Sequence, residues 1–229
     1  MNYPVAEIFS SIQGEGAYVG LPMTFIRLAG CSVGRPLSST DPLFPVYTRC
    51  HPAVGPSFIC DTDYRRTINM NEESLLDAVK ENSPRVVCLT GGEPLIHDLA
   101  PLVGALSEGG YGVHLETSGT RIIPPDLGLS WVSCSPKAGF LTSNAMLVDE
   151  FKFLVSSATE LGEIEEFLKR ECEWEEEELE LPVRSQVFLQ PVNGLSSLDW
   201  TSLANIYKML EQRPRWQLSV QLHKVLGVR

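Results

Sequence analysis

No stretch of this 229-residue sequence approaches the roughly 20 consecutive apolar residues that a bilayer-spanning helix requires. The opening MNYPVAEIFSSIQGEG also lacks the basic segment followed by an apolar run that marks a secretory signal. Positive charge is scarce, with 18 Lys plus Arg against 29 Asp plus Glu and a formal net charge of −11. That balance argues against a broad basic face for nucleic acid or anionic membrane, leaving room only for a local basic pocket. No internal repeat stands out. These absences lead to the expectation of a soluble, cytoplasmic chain with neither a nucleic-acid nor a membrane partner. Six cysteines without a secretory signal read as reduced thiols, metal ligands or core residues rather than a disulfide framework.

What is present is enough apolar residue, 43%, to bury a substantial core, and the length favours one domain over residues 1–229. Val5–Phe9 and Thr24–Ala29 read as strands, the second apolar except for Arg27. Between Gly34 and Phe58, Pro36, Pro42, Pro45, Pro52 and Pro56 remove backbone donors and predict a long, stiffened loop without regular elements. Beyond it, strands at Val86–Thr90, Val113–Thr117, Trp131–Cys134, Glu150–Val155, Gln186–Gln190 and Gln217–Leu222 alternate with helices at about 72–81, 98–108, 159–172 and 198–212. Such alternation means βα units and a parallel sheet of about six strands, either an incomplete TIM-like barrel with outer helices or a doubly wound sheet. In both, chemistry gathers at the C-terminal strand ends. Seven glutamates in the ten positions 171–180 read as a solvated acidic surface segment extending to about 181.

Cys31 directly follows the second strand, and Cys50 and Cys60 come after it. Three thiolates meeting at one strand end suit zinc completed by His51, or an iron–sulfur cluster with one iron left open. Their spacing alone matches no compact metal motif. Gly91-Gly92-Glu93-Pro94 closes the strand at Val86–Thr90, its glycines permitting close backbone approach to a ligand and Glu93 offering a carboxylate. Cys88 and Cys172 read as small buried hydrophobes, Cys134 as nearer the site but without a partner cysteine, and His97 and His114 as satisfied polar residues.

Together, the three-cysteine segment and GGEP resemble the radical S-adenosylmethionine superfamily. Within it the sequence is similar, from end to end, to the 7-carboxy-7-deazaguanine synthase family. The landmarks are Glu7–Gly16, Phe25–Cys31, Cys60-Asp61-Thr62-Asp63-Tyr64, Glu116-Thr117-Ser118-Gly119, Ser135-Pro136-Lys137, Gln190-Pro191 and Gln221-Leu222-His223-Lys224. One departure is large: the usual CxxxCxxC is spread here over Cys31, Cys50 and Cys60, with a Pro-rich insertion at about 34–58.

The resemblance implies a partial barrel and a 4Fe-4S cluster on Cys31, Cys50 and Cys60, at which S-adenosylmethionine is cleaved to a radical that initiates ring contraction of 6-carboxy-5,6,7,8-tetrahydropterin, with loss of ammonia. It implies Mg2+ at Thr62, and substrate contacts from Ile12, Gln13, Gly14, Arg27, Thr90, His223 and Arg229, with the Arg27 guanidinium gripping the pterin carboxylate. It places Ile59, Cys60, Asp61, Gly92, Glu93, Ser133, Ser135, Lys137, Gln190 and Asn193 around the cofactor, Glu93 on its amino group. An electron donor such as flavodoxin and a homodimer are implied as partners. A Cys50→Ala protein is expected to lose cluster assembly after anaerobic reconstitution while His51→Ala keeps its iron; the reverse iron contents would make His51 the third ligand.

Overall fold

The computed structural model of the chain describes residues 1–36, 48–60, 62, 67–82, 84–173, 185–192 and 200–228. Asp61, Asn193, Arg229 and the acidic segment beyond Glu173 lie outside the described residues. The elements in order are β1 (Asn2–Ile12), β2 (Pro22–Leu28), β3 (Arg35–Pro36), β4 (Thr48–Cys50), β5 (Phe58–Cys60), β6 (Ile68–Asn71), α1 (Glu72–Lys80), β7 (Val86–Gly91), α2 (Ala100–Glu108), β8 (Gly112–Thr117), β9 (Trp131–Cys134), β10 (Glu150–Val155), α3 (Glu160–Cys172), β11 (Gln186–Pro191), α4 (Trp200–Gln212), β12 (Gln217–Leu218) and α5 (Leu222–Leu226).

Local rules explain the helix ends. α1 starts where the Asn71 side chain accepts a hydrogen bond from Ser74 N at 2.9 Å, with Glu72 and Glu73 at its positive end and Lys80 in its last turn. Its Leu75 and Val79 are fully buried.

The main sheet has nine strands in the order β12-β11-β10-β9-β8-β7-β2-β1-β6. β1 pairs antiparallel with β2 and β6, whereas every neighbouring pair from β2 through β12 is parallel. The parallel strands follow one another in chain order without a reversal, so the sheet has no switch point of the doubly wound kind and is a partial barrel, open between β12 and β6.

Alternation along these strands separates two environments. Ile26, Leu28, Val87, Leu89, Val113, Leu115, Val132, Phe151, Phe153, Val187 and Leu189 turn outward into one continuous apolar cluster shared with Leu102, Leu106, Ile164, Phe167 and Ile206 of the helices. Phe140, Phe151, Phe153 and Phe167 interlock there edge-on, with centroid separations of 5.2–6.4 Å where rings meet α3. The residues between them face the barrel interior.

Two expectations are corrected. The segment 34–58 is not without regular elements: its two ends form a small antiparallel sheet, β3-β4-β5. Val54 is buried in the main core, Ala53 N donates to Pro136 O at 3.0 Å, and Ala138 N donates to His51 O at 3.0 Å. The described ends of the segment satisfy their backbone groups against each other and against the chain after β9. The last strand also stops early, at Leu218. Ser219 N still bonds Leu189 O at 2.9 Å, but Leu222 N turns to Gly14 O at 2.9 Å and opens α5, which caps the β1 end of the barrel.

The paired glycines serve a close approach, but to protein backbone. A Cβ on Gly91, whose φ is +143°, would stand 2.0 Å from Leu28 O, and one on Gly92 2.1 Å from Gly30 O and 2.7 Å from the Cys31 Cβ. β7 and the three-cysteine strand end touch through these two residues. Gly91→Ala is expected to cost about 3–5 kcal/mol in urea unfolding. Gly104→Ala in α2, where a Cβ meets nothing within 4 Å, should instead stabilise by about 0.5–1 kcal/mol.

Candidate active site

Near its C-terminal end each parallel strand from β2 to β11 places a polar side chain inside the barrel: Arg27, Thr90, Glu116, Ser133, Lys152 and Gln190. They line two adjoining cavities of about 710 and 190 Å³ whose walls share Glu15, Thr90, Gly91 and Glu116. The larger is lined by Ile12, Gln13, Gly14, Arg27, Thr62 and His223 in addition to Thr90. The smaller is lined by Cys31, Cys50, Cys60, Gly92, Ser133, Ser135, Lys137 and Gln190. Of the described residues that the resemblance assigns to the site, Ile59 and Glu93 are the two that the cavity walls do not include.

The three thiols come from different pieces of chain and converge on the smaller chamber. Val33 N and Gly34 N donate to Cys31 Sγ at 3.4 and 3.2 Å. Burial pushes the Cys50 thiol up to about 11; the Lys137 ammonium pulls it down, while negative charge on Cys60 and Cys31 pushes it further up. Thiols from three pieces of chain in one chamber are a soft donor set suited to an iron–sulfur cluster. Among the described residues no three His, Cys, Asp or Glu side chains gather closely enough to clasp a single metal ion, as the zinc alternative with His51 requires. A polynuclear iron–sulfur cluster takes one thiolate per iron and spaces its ligands more widely. The chamber fits S-adenosylmethionine on a second count: the Ser133 hydroxyl is buried in its wall without a hydrogen-bond partner among the described residues. Buried polar groups are rarely left so, and a bound polar ligand satisfies it.

Glu93 stands just behind that wall. Its carboxylate accepts from Thr117 Oγ1 at 2.8 and 3.0 Å, from Ser118 N at 2.8 Å, from Leu95 N at 3.2 Å and from the Ser118 hydroxyl. Thr117 and Ser118 line the chamber in front of it, so a cofactor amino group reaches Glu93 only where these hydroxyls give way. Lys137 donates to Ser135 O and Oγ at 2.7 and 2.6 Å.

The shared wall is held by residues that motif reading passed over. Lys152 of β10 pairs with Glu15 at 2.7 Å and lies 3.6 Å from Glu116. Glu15 also accepts from Gln221 Nε2 at 2.7 Å and Gln190 Nε2 at 3.2 Å. Glu116 accepts from the Thr90 hydroxyl at 2.7 Å and Gln13 Nε2 at 3.2 Å. Burial works to raise the Glu15 carboxyl, but the Lys152 charge outweighs it and holds the group below its ordinary range. Burial likewise opposes the Lys152 ammonium, yet Glu15, Glu116 and Glu150 together raise it. The available sequence signal was Lys152 itself, a charge interrupting the apolar strand EFKFLV just as Arg27 interrupts its own.

Arg27 lies opposite Glu7 in the β1–β2 register and donates from Nε to Glu7 Oε1 at 2.8 Å, with its guanidinium 5.9 Å from the Phe9 ring. Cys88, Cys134 and Cys172 are buried with thiols pushed up by burial, and His97 Nε2 lies 2.9 Å from Ala29 O. His114 meets Tyr18 edge-on at 4.7 Å below the site.

A partial barrel that gathers three thiols, a glycine pair and a buried glutamate at the ends of its first two parallel strands defines a radical S-adenosylmethionine enzyme. No family model matches the chain. It is 34% identical over 235 residues to the 7-carboxy-7-deazaguanine synthase of Synechocystis sp., covering 100% of this chain and 95% of that one. It is 33% identical over 244 residues to that of Bradyrhizobium diazoefficiens, with both chains fully covered. The crystal structure of QueE from Escherichia coli superposes with a TM-score of 0.72 at 28% identity, over 97% of this chain and 95% of that one. The chain belongs to the 7-carboxy-7-deazaguanine synthase family.

Lys152→Met leaves Glu15 and Glu116 without their counter-charge and is expected to cost about 3–5 kcal/mol at neutral pH in denaturant unfolding. Because the Glu15 carboxyl is depressed in the fold, its contribution is complete above its unfolded value of 4.5 and lost as pH falls below it. The gap between Lys152→Met and wild type should therefore narrow as pH falls from 4.5 towards about 2; a constant gap from pH 5 to pH 3 would contradict the assignment.

Proposed function

We propose that this chain is a magnesium-assisted radical S-adenosylmethionine lyase that converts 6-carboxy-5,6,7,8-tetrahydropterin to 7-carboxy-7-deazaguanine with release of ammonia. The observation that carries the reading is the pair of chambers with one shared wall. One is lined by three thiols and the polar groups a nucleoside cofactor needs, the other by Ile12, Gln13, Gly14, Arg27, Thr62, Thr90 and His223. A 4Fe-4S cluster bound at the thiols supplies the electron that cleaves S-adenosylmethionine.

The chain's own contribution is position and exclusion of water. Cys31, Cys50 and Cys60 hold the cluster. Gly92, Ser133, Ser135, Lys137, Gln190 and, outside the described residues, Asp61 and Asn193 hold the cofactor around its ribose and carboxylate. Arg27 and His223 face the substrate's carboxylate end of the larger chamber, with Arg229 completing it. Gln13 and Thr90 contact the ring while remaining tied to Glu116. The Thr62 hydroxyl, in the same wall, is a hard oxygen donor suited to Mg2+ beside a carboxylate and water. We read residues 1–229 as one core domain, acting in the cytoplasm as a homodimer and reduced by a flavodoxin-like donor. No helix among the described residues is long and apolar enough to cross a membrane.

Anaerobically reconstituted protein should contain iron and sulfide and form 7-carboxy-7-deazaguanine from the pterin with catalytic S-adenosylmethionine. Thr62→Ala should raise the magnesium requirement while leaving iron content unchanged. Zinc without iron and sulfide, or an iron-loaded protein that leaves the pterin intact, would overturn the reading.

A further inference from the structure

We propose that Glu7 is a positioning residue for the pterin carboxylate, holding the Arg27 guanidinium so that its terminal fork is presented to the larger chamber. This rests on reading Arg27 as the group that grips that carboxylate. Strand register is the starting point. β1 and β2 pair Val5 with Leu28 and Ile8 with Ile26, and all four side chains pack in the outer apolar cluster. Three steps along β1 thus match two along β2, and the register shifts between Val5 and Glu7. Continued from Val5 without that bulge, the ladder would set Glu7 opposite Ile26 and turn its carboxylate onto the core face. With the bulge Glu7 stands opposite Arg27 instead. Bulges re-aim side chains and are common beside active sites.

What the re-aimed carboxylate meets narrows its part. Ala6, Glu7, Phe9, Phe25 and Arg27 all line the larger chamber. Glu7 Oε1 accepts from Arg27 Nε at 2.8 Å, and among the described residues the Arg27 side chain donates to no other group. The Phe9 ring, stacked on Phe25 at 5.1 Å, lies 5.9 Å from the guanidinium carbon. Glu7 therefore takes one side of the guanidinium and Phe9 one face, which fixes its plane. The edge carrying the two terminal nitrogens is left, and that edge matches a carboxylate through two parallel hydrogen bonds. Stability does not account for the pair. The two side chains keep 24% and 30% of their surface exposed, and ion pairs so exposed contribute little to folding.

The experiment uses iron-loaded, unreduced holoenzyme with S-adenosylmethionine present, so that no turnover occurs. Anaerobic equilibrium dialysis measures the dissociation constants of 6-carboxy-5,6,7,8-tetrahydropterin and of 5,6,7,8-tetrahydropterin, which lacks the carboxylate. Glu7→Ala should weaken the carboxylated pterin by roughly tenfold while leaving the unsubstituted pterin, the iron content and the melting temperature unchanged. Glu7→Gln keeps an acceptor opposite Nε and should bind the carboxylated pterin within about threefold of wild type. Arg27→Ala should lose the preference for the carboxylated pterin, and adding Glu7→Ala to it should cost nothing further. Unchanged affinity in Glu7→Ala, an equal loss for both pterins, a Glu7→Gln protein as weak as Glu7→Ala, or additive losses in the double variant would overturn the inference. A wild type that binds both pterins alike would instead contradict the grip assigned to Arg27, so the two failures are distinct.

Discussion

The ion pair between Lys152 and Glu15 is the constraint on which the arrangement depends. A sheet that stops short of closing leaves the chain after β1 with no strand to bond to, yet that chain forms a wall of both chambers. Lys152 reaches from β10 across the open side of the barrel to Glu15, 137 residues away in sequence, and Gln190 and Gln221 converge on the same carboxylate. Nearby, Ala17 N donates to Glu150 at 2.8 Å and Gly16 N to Ser219 at 3.1 Å. A buried charge is expensive unless paired and hydrogen-bonded, so these groups hold one geometry. Polar bonds here take the part that missing strands take in a closed barrel.

The same economy shapes the strands. Outward positions are apolar because helices cover them, and the continuous outer cluster gives the fold its stability. Inward positions near the C-terminal ends need not be apolar, because they line the two chambers rather than the core. Each strand can thus devote its last inward residue to the site. The glycine pair at Gly91 and Gly92 lets β7 lie against the cysteine-bearing end of β2, which brings the thiols beside Thr90 and the shared wall. Two chambers, one on each side of Glu15 and Glu116, then follow from topology.

Residues were legible where a local rule forced them. Arg27 stood out as a charge in an apolar strand, Cys31 and Gly91–Pro94 as strand-end punctuation, and helices such as Glu160–Cys172 as 3.6-residue patterns with few breakers. Lys152 carried the same kind of signal as Arg27 but no motif beside it. Glu116, Thr117 and Ser118 read as one landmark, and nothing local separates the carboxylate facing the chambers from the hydroxyls that clasp Glu93. Proline content in 34–58 says nothing about pairing between the two ends of a segment, which is how β3, β4 and β5 arise.

The sequence by itself determined the class of fold and the order of its strands and helices, since periodicity and breakers are properties of neighbouring residues. Only the tertiary structure decided which side chains share a cavity, that Glu15 rather than solvent answers Lys152, that the glycines face protein backbone, and that Glu7 rather than Ala6 stands opposite Arg27. The physical reason is that those outcomes depend on strand register and on electrostatic pairing between residues more than a hundred positions apart, and a one-residue change of register reverses which face every side chain occupies.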